Sequence, residues 1–260
     1  MSARISNYTQ EVTIPSKGYL NPEIPNGTIV QRCMMVSDQK FLAGSQLRGS
    51  LMTKTLLERT IESPENIDIG KLTPADTLYL LFKLRVLSYG SSYKFRTKCP
   101  ECGQKIDLDV DLSTLVVNTL EEDYEKHMEV VLPNAGDKVY TRFVTNDDMS
   151  MIEDEMERRR RKGRETTEDS EFVLRLASMI KKIELVTPNA DGDKVLTHPI
   201  DIQNYLEDLT DLDATAIRAS VDKVSFGISP LVEERCPHCR EFIDVGITFG
   251  GGFFRPKYDL

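Results

Sequence analysis

Cys99-Pro100-Glu101-Cys102-Gly103 and Cys236-Pro237-His238-Cys239 are two Cys-Pro-x-Cys turns, and they are the segments that decide the fold. Each turn presents two thiols at a spacing that brings both sulfurs to one metal ion. Together the two turns supply the four cysteine ligands of a structural zinc site. Because residues 103–235 lie between the turns, a shared ion would tie the middle of the chain to its C-terminal part.

A zinc ion held by Cys99, Cys102, Cys236 and Cys239 would have no open coordination position, so its predicted role is structural and not catalytic. Two alternatives are a site that has lost its metal and a redox-active pair of thiols. Redox-active Cys-x-x-Cys pairs are activated at a helix N-terminus, whereas strand-like segments flank both turns here. His238 lies inside the second turn and could replace a cysteine as a ligand, but four sulfurs already suffice.

The composition is that of a globular protein: of 260 residues, 40% are hydrophobic and 29% are charged. No apolar run approaches the roughly 18 residues that a membrane span needs, and the N-terminus lacks an apolar signal core, so neither a membrane protein nor secretion is expected. In such a chain, paired Cys-x-x-Cys turns indicate metal binding and not a disulfide framework. The fifth cysteine, Cys33, lies in an apolar stretch and is predicted to be a buried small residue.

No motif in the sequence predicts catalysis. The three histidines, His127, His198 and His238, do not stand near a serine or cysteine in a nucleophile motif. Phosphate-binding glycine loops and a His-Glu-x-x-His metalloprotease motif are also missing from the sequence. We therefore expect no enzyme activity and no small-molecule substrate.

The pattern along the chain predicts an α+β fold in which zinc-ribbon-like β-hairpins share the four-cysteine zinc site. A helical region precedes the hairpins and a helical insert separates them. The predicted segments are an extended N-terminal arm (1–37), a helical region (38–90), a zinc-ribbon β region (91–144 and 226–249), a helical insert (145–225) and a C-terminal tail (250–260).

Strand signals surround both cysteine turns. Residues 106–112 alternate strictly between apolar and acidic side chains, as a half-buried strand does, and residues 93–95 precede the first turn with similar content. Residues 242–249 follow the second turn in the same way. A further hairpin is predicted over residues 128–144, with its turn at Pro133-Asn-Ala-Gly-Asp137.

Helical periodicity predicts the remaining elements. The best marked helix begins with Thr73 as its N-cap and Pro74 at its first position, and Gly90 suits its C-terminal end. Apolar residues also recur at helical spacing over residues 46–61, 171–186, 202–209 and 211–224. The basic run of residues 158–164 could contact nucleic acid or an acidic partner, but the preceding acidic residues and its position at a helix end favour a solvated surface.

Two extended segments are candidates for contacts with partners. The loop Ser16-Lys-Gly-Tyr-Leu-Asn-Pro22 is either a structured loop or an arm that lies on another protein, and it offers Tyr19 and Leu20. The tail offers Phe253, Phe254 and Arg255 after three glycines, and we expect it to dock on its own body or on a partner. Extended segments can cover large partner surfaces when they become ordered on binding.

Several motifs together resemble a phage protein family. An early Pro15-Ser-Lys-Gly-Tyr19 loop precedes a helical pair, then Leu84-Arg-Val-Leu-Ser-Tyr-Gly90 leads to the first cysteine turn, and Phe253-Phe-Arg255 stands near the end. This order is similar to that of the baseplate hub and hub-assembly proteins of T4-type contractile-tailed phages. The resemblance implies a structural or assembly role in the virion tail baseplate, assembled in the host cytoplasm, with other tail proteins as partners.

A zinc-ribbon nucleic-acid module of transcription or replication is the alternative function. It would carry basic and aromatic side chains on the faces of its ribbon. The strand after the first turn instead carries Asp107, Asp109 and Asp111, which phosphate would avoid, and the net charge of the chain is -9. Both observations argue against nucleic acid as a partner.

Overall fold

The computed structural model describes residues 8–45, 49–163, 168–189, 192, 194–247 and 252–254. These residues form two compact units. The first contains the described residues within Met1–Ile69, Ala75–Thr119 and Phe226–Leu260, and the second those within Gly70–Pro74 and Leu120–Ser225. The predicted mixture of helix and sheet is confirmed.

Seven α-helices lie in the described part of the chain. They are α1 (Val36–Gly44), α2 (Gly49–Thr60), α3 (Pro74–Tyr89), α4 (Asn146–Arg161), α5 (Glu168–Ser178), α6 (Pro199–Glu207) and α7 (Asp211–Asp222). The predicted Thr73-Pro74 start and Gly90 stop of α3 agree with these bounds, and Gly90 takes the left-handed φ of 82° typical of a helix end. Among the described helices, none combines the length and the apolar composition that crossing a membrane requires.

Thirteen strands are found in the same described residues. They are β1 (Thr9–Thr13), β2 (Thr28–Arg32), β3 (Ile61–Ser63), β4 (Ser92–Lys98), β5 (Lys105–Asp111), β6 (Val117–Asn118), β7 (Glu129–Val131), β8 (Lys138–Thr141), β9 (Ile180–Glu184), β10 (Val195–Leu196), β11 (Gly227–Ile228), β12 (Leu231–Arg235) and β13 (Phe242–Gly246). In the first unit, β1-β2-β3 form one sheet, while β4-β5, β12-β13 and β6-β11 form antiparallel pairs.

The predicted N-terminal arm is part of the first unit in its described residues. β1 and β2 pair along their whole length, and β2 also pairs with β3. The connecting loop closes on itself where Ile14 N–H donates to the Gly27 carbonyl at 2.9 Å, and it is tied to α3 where Ser16 N–H donates to Asp76 Oδ1 at 2.9 Å. Of the two alternatives for this loop, the described residues agree with a structured loop, because buried residues such as Ile14 anchor it.

Glycine makes the close approach within this loop possible. A Cβ atom on Gly18 would lie 2.6 Å from the backbone nitrogen of Gly27, and both residues have a left-handed φ. Because a side chain at either position would clash with backbone atoms, the loop conformation depends on these two residues.

A buried carboxylate joins the N-terminal sheet to the helices that follow it. Asp38 is fully buried and accepts hydrogen bonds from Arg32 Nη1 at 2.7 Å, Arg59 Nε at 2.9 Å and Met35 N–H at 2.8 Å. Burial raises the pKa of Asp38, but these hydrogen bonds from Arg32, Met35 and Arg59 outweigh it and leave the pKa below its ordinary value. The charged form of Asp38 therefore stabilises the folded state.

The alternation of the two cysteine hairpins places their apolar residues in one core. Tyr93 on β4, Val110 on β5 and Val245 on β13 are buried, while the residues between them along each strand face solvent. Phe82 of α3 packs in the same cluster. The two predicted hairpins are confirmed, and the core between them belongs to the first unit.

Phe253 is a core residue of the first unit. It is 0% exposed, and its ring makes edge contacts with Phe82 and Tyr93 at centroid distances of 5.4 and 5.1 Å. Tyr89 Oη donates to the carbonyl of Phe254 at 3.1 Å. The prediction that Phe253 contacts a partner is thus corrected, because its side chain has no accessible surface left. The C-terminal tail is expected from the sequence to dock either on the chain itself or on a partner. Phe253 packs against the chain itself, in the core of the first unit.

The second unit contains the four-stranded sheet β10-β9-β8-β7 and helices α4 to α7. Its apolar core includes Val139, Ile183, Leu206 and Ile217. The predicted hairpin over 128–144 is confirmed, but it belongs to this unit and not to the ribbon region, because β8 pairs with β9. The boundary of the inserted unit therefore lies at residue 120 and not at 145.

The predicted helix over 171–186 is too long. In the structure α5 ends at Ser178, and Ile180–Glu184 form strand β9, in which Ile180 and Ile183 are buried. Ile183 lies opposite Val139 of β8, so pairing with a neighbouring strand decides the conformation of this segment. Local periodicity cannot reveal that partner.

Replacing Asp38 by Asn should lower the free energy of unfolding by about 3 kcal/mol at neutral pH, because two arginines lose their buried counter-charge. Hydrogen bonds hold the folded pKa of Asp38 below its unfolded value of about 3.9. The stabilisation is therefore complete above that pH and is lost as pH falls through the folded pKa. Urea unfolding of both proteins between pH 3 and 7 should show the stability difference shrinking on acidification. Glu65→Gln, at an exposed position, is the control, and a constant difference at all pH values would contradict the assignment.

Replacing Phe253 by Ala should lower the free energy of unfolding by about 3–5 kcal/mol, because the ring is fully buried. Phe242→Ala removes an equal side chain that is 67% exposed, and it should change stability by at most about 0.5 kcal/mol. Denaturant unfolding followed by circular dichroism measures both values. Equal stability of the Phe253 variant and the wild type would show that this ring does not anchor the chain.

Candidate metal centre

The two cysteine turns meet in the first unit. The Sγ atoms of Cys99 and Cys239 are 3.8 Å apart, as are those of Cys102 and Cys236. All four sulfurs lie within 4.8 Å of one another. The structure therefore brings together all four cysteines that the sequence singled out.

The spacing of the sulfurs fits a tetrahedral ion. With metal–sulfur bonds of about 2.3 Å, the edge of a tetrahedron of sulfurs is about 3.8 Å, which matches both short distances. A disulfide would require about 2.05 Å, so these cysteines are free thiols. Four sulfur ligands in a tetrahedral arrangement suit zinc or the iron of an iron–sulfur centre.

The same backbone geometry holds both turns. In the first, Cys99 N–H donates to the Gln104 carbonyl and Gly103 N–H donates to the Cys99 carbonyl, each at 2.9 Å. In the second, Cys236 N–H donates to the Glu241 carbonyl and Arg240 N–H donates to the Cys236 carbonyl, again at 2.9 Å. Each turn thus closes on its own first cysteine, which aims both of its sulfurs at one point.

One position of this repeated turn is strained in the second copy. Gly103 and Arg240 each follow the second cysteine of their turn, and their φ angles are 69° and 66°. This left-handed conformation suits glycine and costs a side-chain-bearing residue about 1–2 kcal/mol. The cross-strand pairing of β12 with β13 therefore holds Arg240 in a conformation that Arg does not favour by itself.

Backbone N–H groups favour charge on the sulfurs. The N–H groups of Cys239 and His238 lower the pKa of the Cys236 thiol to about 6 against the effect of burial. The Glu241 N–H lowers the pKa of Cys239, but burial and the neighbouring sulfurs of Cys236, Cys102 and Cys99 raise it to about 12. A cation among the four sulfurs would offset this mutual repulsion.

The other candidate ligands lie outside the cluster. His238 is exposed at the turn, and Cys33 stands apart from the four sulfurs, half-buried beside Arg32. Cys99 and Cys236 are buried, so protein encloses that side of the site. Such a site can hold an ion but leaves no coordination position for a substrate.

Sequence reasoning missed the role of Arg85 at the start of the first cysteine hairpin. Arg85 is 2% exposed and donates to the carbonyls of Gly90 at 2.9 Å and Ser92 at 3.1 Å. Its guanidinium also lies over the rings of Tyr89 and Tyr93, at 5.0 and 5.7 Å from their centroids. It thereby fixes the passage from α3 into β4. A charged residue on the apolar face of a predicted helix was the available signal.

The predicted partner-binding residues differ in how far their side chains are exposed to solvent. Tyr19 is 42% exposed and Leu20 is half-buried on the N-terminal loop. Phe254 is half-buried, Phe253 belongs to the core, and Arg255 lies outside the described residues.

The basic run at the end of α4 is partly neutralised. Arg158 and Arg159 both pair with Glu155, and Arg161 pairs with Glu157 one turn earlier. These pairs along one helix agree with the interpretation of a solvated helix end. Arg164, the last residue of the run, lies outside the described residues.

Comparison with known proteins identifies the family. Residues 7–249 match the family described as T4 bacteriophage base plate protein. No curated protein and no solved structure gives a significant match. The family match extends over nearly the whole sequence, includes all four cysteines of the cluster, and agrees with the resemblance carried by residues 84–90 and the first cysteine turn. The chain therefore belongs to the T4 bacteriophage base plate protein family.

Proposed function

We propose that this chain is a structural or assembly component of a phage tail baseplate, where it binds other tail proteins, and that a structural zinc ion stabilises it. The observation that carries the proposal is the family match over residues 7–249. Its place of action would be the virion tail baseplate, which is assembled in the host cytoplasm. Tyr19, Leu20, Phe254 and Arg255 remain proposed contacts with partners.

The proposed zinc site is a ribbon made of two hairpins. Cys99 and Cys102 from the β4-β5 hairpin, with Cys236 and Cys239 from the β12-β13 hairpin, would hold the ion. The ion would act as a cross-link between segments that are remote in sequence, and its binding free energy would add to folding stability. The tetrahedral spacing of the sulfurs supports this assignment.

A catalytic role is not proposed. The four sulfurs would fill the coordination shell, and the sequence carries no nucleophile or phosphate-binding motif. A nucleic-acid role is not proposed either, because the outward face of β5 carries Asp107, Asp109 and Asp111. The surface of this ribbon thus favours protein partners.

Removing one sulfur should abolish metal binding. Purified wild-type protein should contain about one zinc ion per chain, whereas Cys99→Ser and Cys236→Ser should contain none and should melt at a lower temperature. Elemental analysis and thermal unfolding measure the two effects. A chelator should lower the melting temperature of the wild type and leave that of the variants unchanged.

Cys33→Ser is the matched control, because Cys33 lies outside the cluster and its variant should keep the metal. Exchange of zinc for Co²⁺ should give the absorption of a tetrahedral thiolate complex in the wild type and in this control. If the wild type is free of metal, and melts like Cys99→Ser, the proposed zinc site is wrong.

Phage that lack this chain should fail to complete their baseplates, because a structural or assembly component would be missing. Electron microscopy and sedimentation of infected-cell lysates would reveal arrested tail intermediates, and supplying the wild-type chain should restore tails. Mass spectrometry of purified tails then distinguishes a virion component from an assembly factor. Normal tails in its absence would contradict the proposal, as would tight filter binding of DNA at low salt by the purified protein.

A further inference from the structure

The outward face of the β12-β13 hairpin carries two carboxylates that face each other across the two strands. Glu233 of β12 lies directly opposite Asp244 of β13 in the antiparallel register, and both are exposed. Like charges directly opposite each other in a sheet are destabilising. In the described part of the chain, neither Glu233 nor Asp244 takes part in a salt bridge or a side-chain hydrogen bond.

The cation that neighbours the acidic pair on this hairpin face, Arg235, is already engaged. Arg235 Nε donates to the carbonyl of Arg240 at 2.9 Å, and the guanidinium lies 5.8 Å from the centroid of the Phe242 ring. It therefore closes the cysteine turn and covers Phe242 in part, and it makes no ion pair with Glu233 or Asp244.

Apolar side chains flank the two carboxylates. Leu231 is 58% exposed on one side and Phe242 is 67% exposed on the other. Neighbouring rungs on one face of a sheet are about 7 Å apart. The face thus presents an apolar residue, an acidic pair and an aromatic residue in sequence.

On the other cysteine hairpin, β4-β5, the outward carboxylates are paired with groups of the same chain. There Arg96 makes two hydrogen bonds to Asp107, at 2.7 and 2.9 Å, and Asp109 accepts from Ser92 at 2.7 Å and lies 3.8 Å from Lys94. Asp111 accepts from Ser113 N–H at 2.9 Å. Each outward carboxylate of that hairpin has a partner within the chain. The lack of a partner for Glu233 and Asp244 among the described residues therefore distinguishes the second hairpin from the first.

Resting on the proposed baseplate function, we infer that the outward face of β12-β13 binds a basic segment of another tail protein. A lysine or arginine of that segment would lie between Glu233 and Asp244, and apolar residues on either side of it would cover Leu231 and Phe242. Charge-assisted hydrogen bonds would supply specificity, and burial of the exposed aromatic ring would supply affinity. Pairing of β12 with β13 and the cysteine cluster hold the face rigid before the partner arrives.

Carbodiimide cross-linking tests this contact directly, because the reagent joins a carboxylate to an amine only where the two already touch. Baseplates or baseplate intermediates containing the full-length protein are treated, and cross-linked peptides are identified by mass spectrometry. We expect Glu233 or Asp244 to be joined to a lysine of a different tail protein. A cross-link to a lysine of this chain would overturn the inference; mixed isotope-labelled preparations reveal whether that lysine belongs to a second copy.

Charge reversal provides the second test. Glu233→Lys with Asp244→Lys should weaken incorporation into baseplate intermediates at least about tenfold, and Phe242→Ser should weaken it in the same assay. Glu121→Lys with Glu122→Lys makes the same change of charge at exposed positions of the second unit and should leave incorporation unchanged. All variants should keep the metal content and melting temperature of the wild type.

The two proposals fail in different ways. If the wild type and the Glu233/Asp244 variant enter baseplate intermediates equally well, this face is not the contact, while the baseplate function stands. If the wild type enters no tail intermediate at all, the proposed function fails and the inferred contact fails with it.

Discussion

The convergence of four cysteine sulfurs is the constraint on which the first unit depends. Two hairpins from distant parts of the sequence must lie with their turns together for sulfurs to be 3.8 Å apart. The short β6-β11 pair, in which Ile228 lies opposite Val117, joins the same two chain segments by backbone hydrogen bonds. Because the cost of closing a loop grows slowly with its length, a whole second unit can be inserted between segments fixed in this way.

Buried charged residues connect the rest of the first unit to the two cysteine hairpins through hydrogen bonds and ion pairs. Asp38 forms ion pairs with Arg32 and Arg59. Asp76 accepts a hydrogen bond from the Ser16 N–H, and Arg85 links the end of α3 to the start of β4. Each is buried with hydrogen-bond partners, which is the condition under which a charged group stabilises an interior. The N-terminal loop and the start of the ribbon are thereby fixed by a few directional contacts in addition to apolar packing.

Much of the local structure could be predicted from the sequence. The strict alternation around the first cysteine turn identified β5, and Thr73, Pro74 and Gly90 bounded α3, because strands and helix ends have strong local signals. The sequence predicts a helix for the segment 180–184 and not the strand β9, because the strand conformation depends on pairing with β8. For the same reason the sequence predicts the hairpin of β7 and β8 in the ribbon region, since a strand does not reveal in the sequence which remote strand it pairs with.

By itself the sequence determined the four metal-ligand candidates, because the Cys-Pro-x-Cys spacing is a local property of a turn. It also determined the family, through motifs that run in order along the chain. Only the tertiary structure decided that Phe253 fills the core and that Glu233 and Asp244 lie opposite each other. Burial and cross-strand register depend on which remote segments meet, and that is a property of the folded chain and not of any short stretch of sequence.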